Sequence, residues 1–132
     1  MSNIKIGQKA EVISSFYEDD VINYVNVSRD TNPIHTNHKY ARMTDFNGRI
    51  VPGMLVASLF GGLLGSELPG KGTILLGQTL YFKNPLYLGH KVRAVIKVTN
   101  IRKDKPIITF ETICYNMDNE ILIDGEAVVK LL

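Results

Sequence analysis

Residues 52–65 read Pro52-Gly53-Met54-Leu55-Val56-Ala57-Ser58-Leu59-Phe60-Gly61-Gly62-Leu63-Leu64-Gly65. Strong helix formers behind a proline near the first turn predict a helix here, and Leu68-Pro69-Gly70 ends it. Apolar residues fall on every side instead of in one stripe, so the helix is expected to be buried all round. Gly61, Gly62 and Gly65 each weaken it by about 1 kcal/mol relative to alanine. Close approach of another backbone or a ligand would offset that cost. The enclosing uncharged run, Ile50 to Ser66, has 17 residues, four of them glycine and two serine. It falls short of a membrane span, and a buried helix of a soluble protein accounts for it.

C-terminal to this segment the period changes from 3.6 to 2. Thr73 to Phe82 reads as one strand. Val92, Ala94, Ile96 and Val98 alternate with Lys91, Arg93 and Lys97 in a second, consistent with one buried face. A charged turn leads through Pro106 to a third strand, Ile107 to Asn116; Asp118-Asn119 marks a hairpin, and Glu120 to Leu131 forms a fourth. Successive strands of this kind predict an antiparallel sheet. One apolar helix and a sheet with one polar face give an α+β fold, with the sheet curled around the helix. A small wrapped sheet keeps exposed edges, and dimerisation is a reasonable way to protect one of them.

N-terminal to the helix, Ala10 to Ser15 reads as a short strand. Ser15-Phe16-Tyr17-Glu18 resembles a capping box with Ser15 at the N-cap. Val21, Tyr24, Val25 and Val27 supply the apolar face of the helix that follows, which should end near Ser28. Asp30-Thr31-Asn32-Pro33 is turn chemistry, because Asp and Asn bond their own backbone and Pro33 disfavours a helical Asn32. Asn37 to Met43 is expected to form another short helix, and Asp45 to Arg49 a loop centred on Asn47-Gly48.

At 132 residues, with no low-complexity linker or repeat, residues 1–132 are expected to form a single domain. Size scaling gives a folded surface of roughly 7,000 Å² against about 21,000 Å² unfolded, enough burial for a real core. Hydrophobic residues make up 45% and charged residues 21%, which excludes a disordered or fibrous chain. A net charge of +2, from fifteen basic and thirteen acidic residues, is too small for a nucleic-acid footprint. Arg102, Lys103 and Lys105 read as a solvated hairpin tip. The single cysteine, Cys114, has no disulfide partner within the chain and lies in an alternating run, as a strand residue would. The opening residues MSNIKIGQKAEV contain no apolar signal core, so the expected location is cytoplasmic, with no membrane partner.

The densest polar group is Asp30-Thr31-Asn32-Pro33-Ile34-His35. A carboxylate can accept a proton from water, and an imidazole can relay one near neutral pH. A break between helical segments lets Asp30 and His35 converge as one continuous helix would not. Two readings of the residues stay open: an acid–base pair with Asn32 positioning water, or a cap, an Asx turn and a partly buried histidine. A metal reading on Asp30, His35 and His38 is a minor alternative, with no Cys ligand set and no HExxH-type signature behind it. Gly53 is a second candidate, because an uncapped N–H at a helix start points outward with the positive end of the dipole and can stabilise a developing oxyanion. Ser58, just over a turn later, defaults to a buried, cap-like bond with the preceding turn. Gly70-Lys71-Gly72 lacks the hydroxyl residue of a phosphate loop, which is excluded.

Asp30-x-Asn32-Pro33-x-His35, then Ala41, then Ile50-Val51-x-Gly53-Met54-Leu55, resembles the MaoC-like (R)-specific enoyl-CoA hydratases. The likeness continues through Leu68-Pro69-Gly70-Lys71-Gly72, Gly77-Gln78, Phe82, Asp104-Lys105-Pro106 and Gly125-Glu126-Ala127-Val128-Val129-Lys130. The resemblance implies a hot-dog fold, an antiparallel sheet wrapped around a long central helix, assembled as a homodimer. It implies reversible addition of water to a trans-2-enoyl-CoA, giving an (R)-3-hydroxyacyl-CoA. Asp30 and His35 would be the catalytic pair, the Gly53 N–H the oxyanion donor, and Asn32 and Ser58 supporting residues. No metal or redox cofactor is implied, since coenzyme A is part of the substrate. The chain departs from the family's pattern at Arg29, Asn37, Pro52 and Gly61, where glycine, aspartate, histidine and serine are common. The alternatives are an acyl-carrier-protein dehydratase and a non-catalytic acyl-CoA-binding hot-dog protein. A hot-dog thioesterase fits less well, because Met54 to Ser66 contains no acidic residue.

Overall fold

The structure, a computed structural model, describes residues 3–132. In chain order its elements are β1 (Lys9–Ser15), α1 (Glu18–Ser28), α2 (Pro33–Thr36), α3 (His38–Arg42), α4 (Gly53–Ser66), β2 (Thr73–Gln78), β3 (Tyr81–Phe82), β4 (Lys91–Ile101), β5 (Ile107–Asn116) and β6 (Ile121–Leu131). The strands form one antiparallel sheet in the order β1-β4-β5-β6-β2, with β3 also paired to β6. The alternation in β4 has the expected consequence: Val92, Ala94, Ile96 and Val98 all face inward and are buried. Ile108, Phe110 and Cys114 of β5, with Leu122 and Val129 of β6, continue the same layer. Against it lie Val56, Phe60, Leu63 and Leu64 of α4, so the helix runs inside the curl of the sheet. That is the hot-dog arrangement.

Four local expectations need correction. Helix α1 does not start from Ser15, which stays in the β1 ladder opposite Lys91. Held extended there, Ser15 leaves the N-cap to Tyr17, whose N–H donates to Asp20 Oδ2 at 2.8 Å. Val27 is 84% exposed, because it lies about 240° around the helix from the buried Val21. The single strand expected over Thr73–Phe82 is broken after Gln78. Thr79 N–H donates to the Glu126 carbonyl and the Glu126 N–H to Thr79 Oγ1, so the chain crosses tightly over Gly125 before β3 begins. A Cβ at Gly125 would lie 2.7 Å from the Thr79 carbonyl carbon.

The fourth correction concerns α4, which is not buried on every side. Met54, Ser58, Gly61, Gly62 and Gly65 form an exposed face, and a Cβ at any of those three glycines would meet nothing within 4 Å among the described residues. Among the described residues the glycines therefore mark no close approach. Beyond them Ile74, Leu75 and Leu76 on the edge strand β2 are about half exposed. The exposed surface totals 7,914 Å², some 900 Å² above the value expected for a monomer of this mass.

Burial pushes the Cys114 thiol up to about 12. The sign follows from linkage. The folded state keeps the proton where the unfolded thiol, near 9.0, releases it, so stability is intact below pH 9 and falls as pH rises towards 12. Thermal unfolding between pH 8 and 11 should show the native chain losing up to about 1.4 kcal/mol per pH unit relative to Cys114→Ala. Parallel slopes for the two proteins would refute this.

Candidate active site

Backbone requirements place the polar turn. Helix α1 ends at Arg29, which takes the left-handed conformation (φ 65°) and returns its N–H to the Val25 carbonyl at 2.9 Å. Glycine adopts that geometry freely, and an arginine there costs about 1 kcal/mol. The chain then folds back on its own side chains. Ser28 Oγ accepts from the Asp30 N–H at 3.1 Å, Asp30 Oδ1 from the Asn32 N–H at 3.1 Å, and Asn32 Oδ1 from the Ile34 N–H at 3.3 Å. Asn32 is thus the N-cap of α2, with Pro33 at its first position. Its side-chain oxygen serves the loop.

These bonds bring Asp30 and His35 together. One carboxylate oxygen of Asp30 is engaged by the backbone, and the other, Oδ2, lies 3.6 Å from His35 Nε2. His35 is buried and its Nδ1 is 2.8 Å from the carbonyl oxygen of Ile50. A carbonyl only accepts, so Nδ1 carries the hydrogen and Nε2 of the neutral ring presents a lone pair. Two acceptors 3.6 Å apart are too far for a direct bond and well spaced to share one water at ordinary hydrogen-bond lengths.

His35 also lines an apolar cleft of about 440 Å³, together with Gly53, Phe46, Met54, Phe82, Leu122 and Ile123. As the first residue of α4, Gly53 has an N–H with no intrahelical acceptor. Asp30 is not part of the cleft wall; its side chain is 39% exposed and meets His35 from the solvent side. The pair therefore straddles the mouth, with the imidazole inside and the carboxylate outside. Ser58 is placed elsewhere. It lies on the exposed face of α4 and donates to the Leu55 carbonyl at 2.5 Å, the bond to the preceding turn expected of it but made at the surface.

Two residues at the site were not anticipated. Phe82 sets its ring against Gly53, where an added Cβ would come within 2.6 Å of Cε1. The register of β3 on β6 determines that contact, and no local motif announces it. Arg49, read only as a loop terminus, donates from Nε to the His35 carbonyl at 2.8 Å and forks onto both oxygens of Glu18 at 2.5 and 3.1 Å. The bond from Arg49 holds the Glu18 carboxyl below its usual range. A lone cation directly before the 17-residue uncharged run was the only available signal.

An antiparallel sheet curled on one apolar helix, with an Asp–His pair at the mouth of a cleft that reaches the helix N-terminus, defines a hot-dog protein with a polar site at the helix start. Residues 3–119 match the family model for the MaoC like domain, and the chain belongs to that family. It is 46% identical over 129 residues to the (R)-specific enoyl-CoA hydratase of Aeromonas caviae, covering 98% of this chain and 96% of the relative. A solved structure titled as the (R)-hydratase from A. caviae involved in PHA biosynthesis superposes over 100% of both chains, with a TM-score of 0.98 and 45% identity. A mitochondrial 3-hydroxyacyl-[acyl-carrier-protein] dehydratase (FERN) of Solanum lycopersicum is 38% identical over 130 residues, covering 97% of this chain and 78% of that one.

The Gly53–Phe82 contact gives a direct test. Gly53→Ala should destabilise the protein by about 1 kcal/mol through overpacking, and most of that loss should vanish in a Phe82→Ala background. Denaturant unfolding of the four proteins in the cycle checks it; equal effects of Gly53→Ala in both backgrounds would mean that the ring does not confine the glycine.

Proposed function

We propose that this chain is an (R)-specific enoyl-CoA hydratase, adding water reversibly to a trans-2-enoyl-CoA, and that residues 1–132 act as one hot-dog domain. The observation that carries the reading is the shared position of three groups: Asp30 Oδ2 and His35 Nε2, 3.6 Å apart, beside a cleft whose wall includes the free helix-start amide of Gly53.

The chemistry follows from those groups. The thioester oxygen accepts from the Gly53 N–H, with the positive end of the α4 dipole behind it. That interaction strengthens as charge moves from the conjugated double bond onto oxygen, leaving C3 electrophilic. A water held between Asp30 and His35 donates one hydrogen to each and directs its lone pair at C3. As the C3–O bond forms, the water's proton passes to the pair, with Asp30 as the base and His35 as its orienter. The enolate then collapses and C2 takes up that proton, so H and OH have both been added. Because Nε2 of the neutral ring is bare, His35 becomes a proton donor only after it has accepted one. Phe46, Phe82, Leu122 and Ile123 line the cleft as an apolar wall suited to the acyl chain, and excluding water there strengthens the Gly53 contact. The proposed steps use no cofactor beyond the coenzyme A of the substrate, and a cytoplasmic location belongs to the same reading.

Loss of the enoyl absorbance of crotonyl-CoA, followed by chiral analysis of the product, tests the reading. The (R)-3-hydroxy product is expected, and Asp30→Asn and His35→Ala should each lower kcat by about 10²–10⁴-fold in folded protein. Native-like turnover in either variant removes that residue from the mechanism, and tight binding without turnover by the native chain favours an acyl-CoA-binding protein. The FERN relative supports a second reading, dehydration of a carrier-bound 3-hydroxyacyl chain. A higher kcat/KM on crotonyl carrier protein than on crotonyl-CoA would select it.

The same proposal includes a homodimer, supported by the exposed glycine face of α4, the half-exposed apolar side chains of β2 and the excess surface area. Gly62→Glu has room within the chain, so it should stay folded yet sediment as a monomer where the native protein sediments as a dimer. Identical sedimentation of the two proteins would place the interface elsewhere.

A further inference from the structure

We propose that Arg49, held by Glu18, is a positioning residue for this reaction: its guanidinium fixes the main chain of His35 relative to the segment that delivers Gly53. The inference rests on the hydratase reading and adds to it two residues outside the reacting set.

The geometry is unusual for a surface ion pair. The Arg49 side chain is only 12% exposed although its partner Glu18 is 54% exposed. All three guanidinium nitrogens are engaged: Nη1 and Nη2 bond the two Glu18 oxygens, and Nε donates inward to the His35 carbonyl at 2.8 Å. Bidentate pairing of this type fixes orientation as well as charge. The main chain around Arg49 is tied just as closely. Leu88 N–H donates to the Arg49 carbonyl at 3.1 Å, Val51 N–H to the Leu86 carbonyl at 2.8 Å, and Ile50 N–H to the Ile34 carbonyl at 3.4 Å. The Ile50 carbonyl then accepts from His35 Nδ1.

Arg49 and Ile50 thus hold His35 from two sides, one through its carbonyl and the other through its ring. Three residues further along is Gly53. Helix α2, which carries His35, has only four residues, too few to hold its own orientation. The clamp supplies what that short helix lacks: it ties the imidazole to the same segment that carries the oxyanion donor, and Glu18 anchors both to the start of α1. Lysine could replace the charge but not the three-way fork.

The experiment compares Arg49→Met, Arg49→Lys and Glu18→Gln with the native protein. Steady-state hydration of crotonyl-CoA is followed alongside ¹⁵N spectra of the labelled His35 ring. Arg49→Met should lower kcat about tenfold, since small misplacement of a reacting group is costly, while KM changes less than about twofold. Arg49→Lys should recover part of kcat. Glu18→Gln, an exposed change that spares the fold, should lower kcat less, and adding it to Arg49→Met should have little further effect. In the spectra the native ring should show protonated Nδ1 and bare Nε2, and Arg49→Met should mix the tautomers. Native-like kcat and ring signals in Arg49→Met would overturn the proposal, as would a loss of stability with kcat per folded molecule unchanged. If the native chain does not hydrate crotonyl-CoA, the hydratase reading fails alone and the ring spectra still decide whether the clamp orients His35.

Discussion

The hydrogen bond from His35 Nδ1 to the Ile50 carbonyl is the interaction on which the site depends. It settles which nitrogen of the ring faces Asp30, and it joins two parts of the chain that are fifteen residues apart. One is the capped turn that carries the carboxylate and the imidazole; the other is the segment running into the central helix. Main-chain and arginine contacts also tie the turn to this segment, but of these bonds only this one fixes the ring itself. It helps set a carboxylate, an imidazole and a helix-start N–H around one apolar cleft, the carboxylate at its mouth. The backbone of the turn meets its own needs through Ser28, Asp30, Asn32 and Asn37, each spending a side-chain oxygen on a main-chain N–H. One oxygen of Asp30 and one nitrogen of His35 are what remain.

Legibility in the sequence tracked the range of the interactions involved. The strands β5 and β6 could be read nearly to the residue, and the buried face of β4 with them, because alternation records burial on one face, and the hairpin at Asn119 announces itself by residue type. The Asp-x-Asn-Pro-x-His turn was equally legible, since its hydrogen bonds span two or three residues. What could not be read is what depends on distant partners. Ser15 and Glu18 have the spacing of a capping box, yet the pairing of Ser15 with β4 overrides it, and Glu18 is used by Arg49 thirty-one residues away. The break after Gln78 is invisible locally because its cause is Gly125 on another strand.

The central helix shows a different limit. Its composition describes a segment apolar on every side, and hydrophobicity alone cannot say what covers each side. Within one chain the sheet covers only the face carrying Val56, Phe60, Leu63 and Leu64. The glycine face is exposed among the described residues, so the composition of that helix does not follow its burial. Arg29 teaches a related lesson: a position suited to glycine tolerates arginine when the hydrogen bonds on either side over-determine the backbone.

Gly125 has a consequence beyond the geometry of its own strand. The main chain of Thr79 and Leu80 passes so close above it that no methyl group fits between, and the next two residues end in the Phe82 ring against Gly53. Any side chain at 125 would lift the crossover and carry the aromatic wall away from the helix start. A residue on the far strand is thereby a set-screw for the width of the cleft beside the helix start.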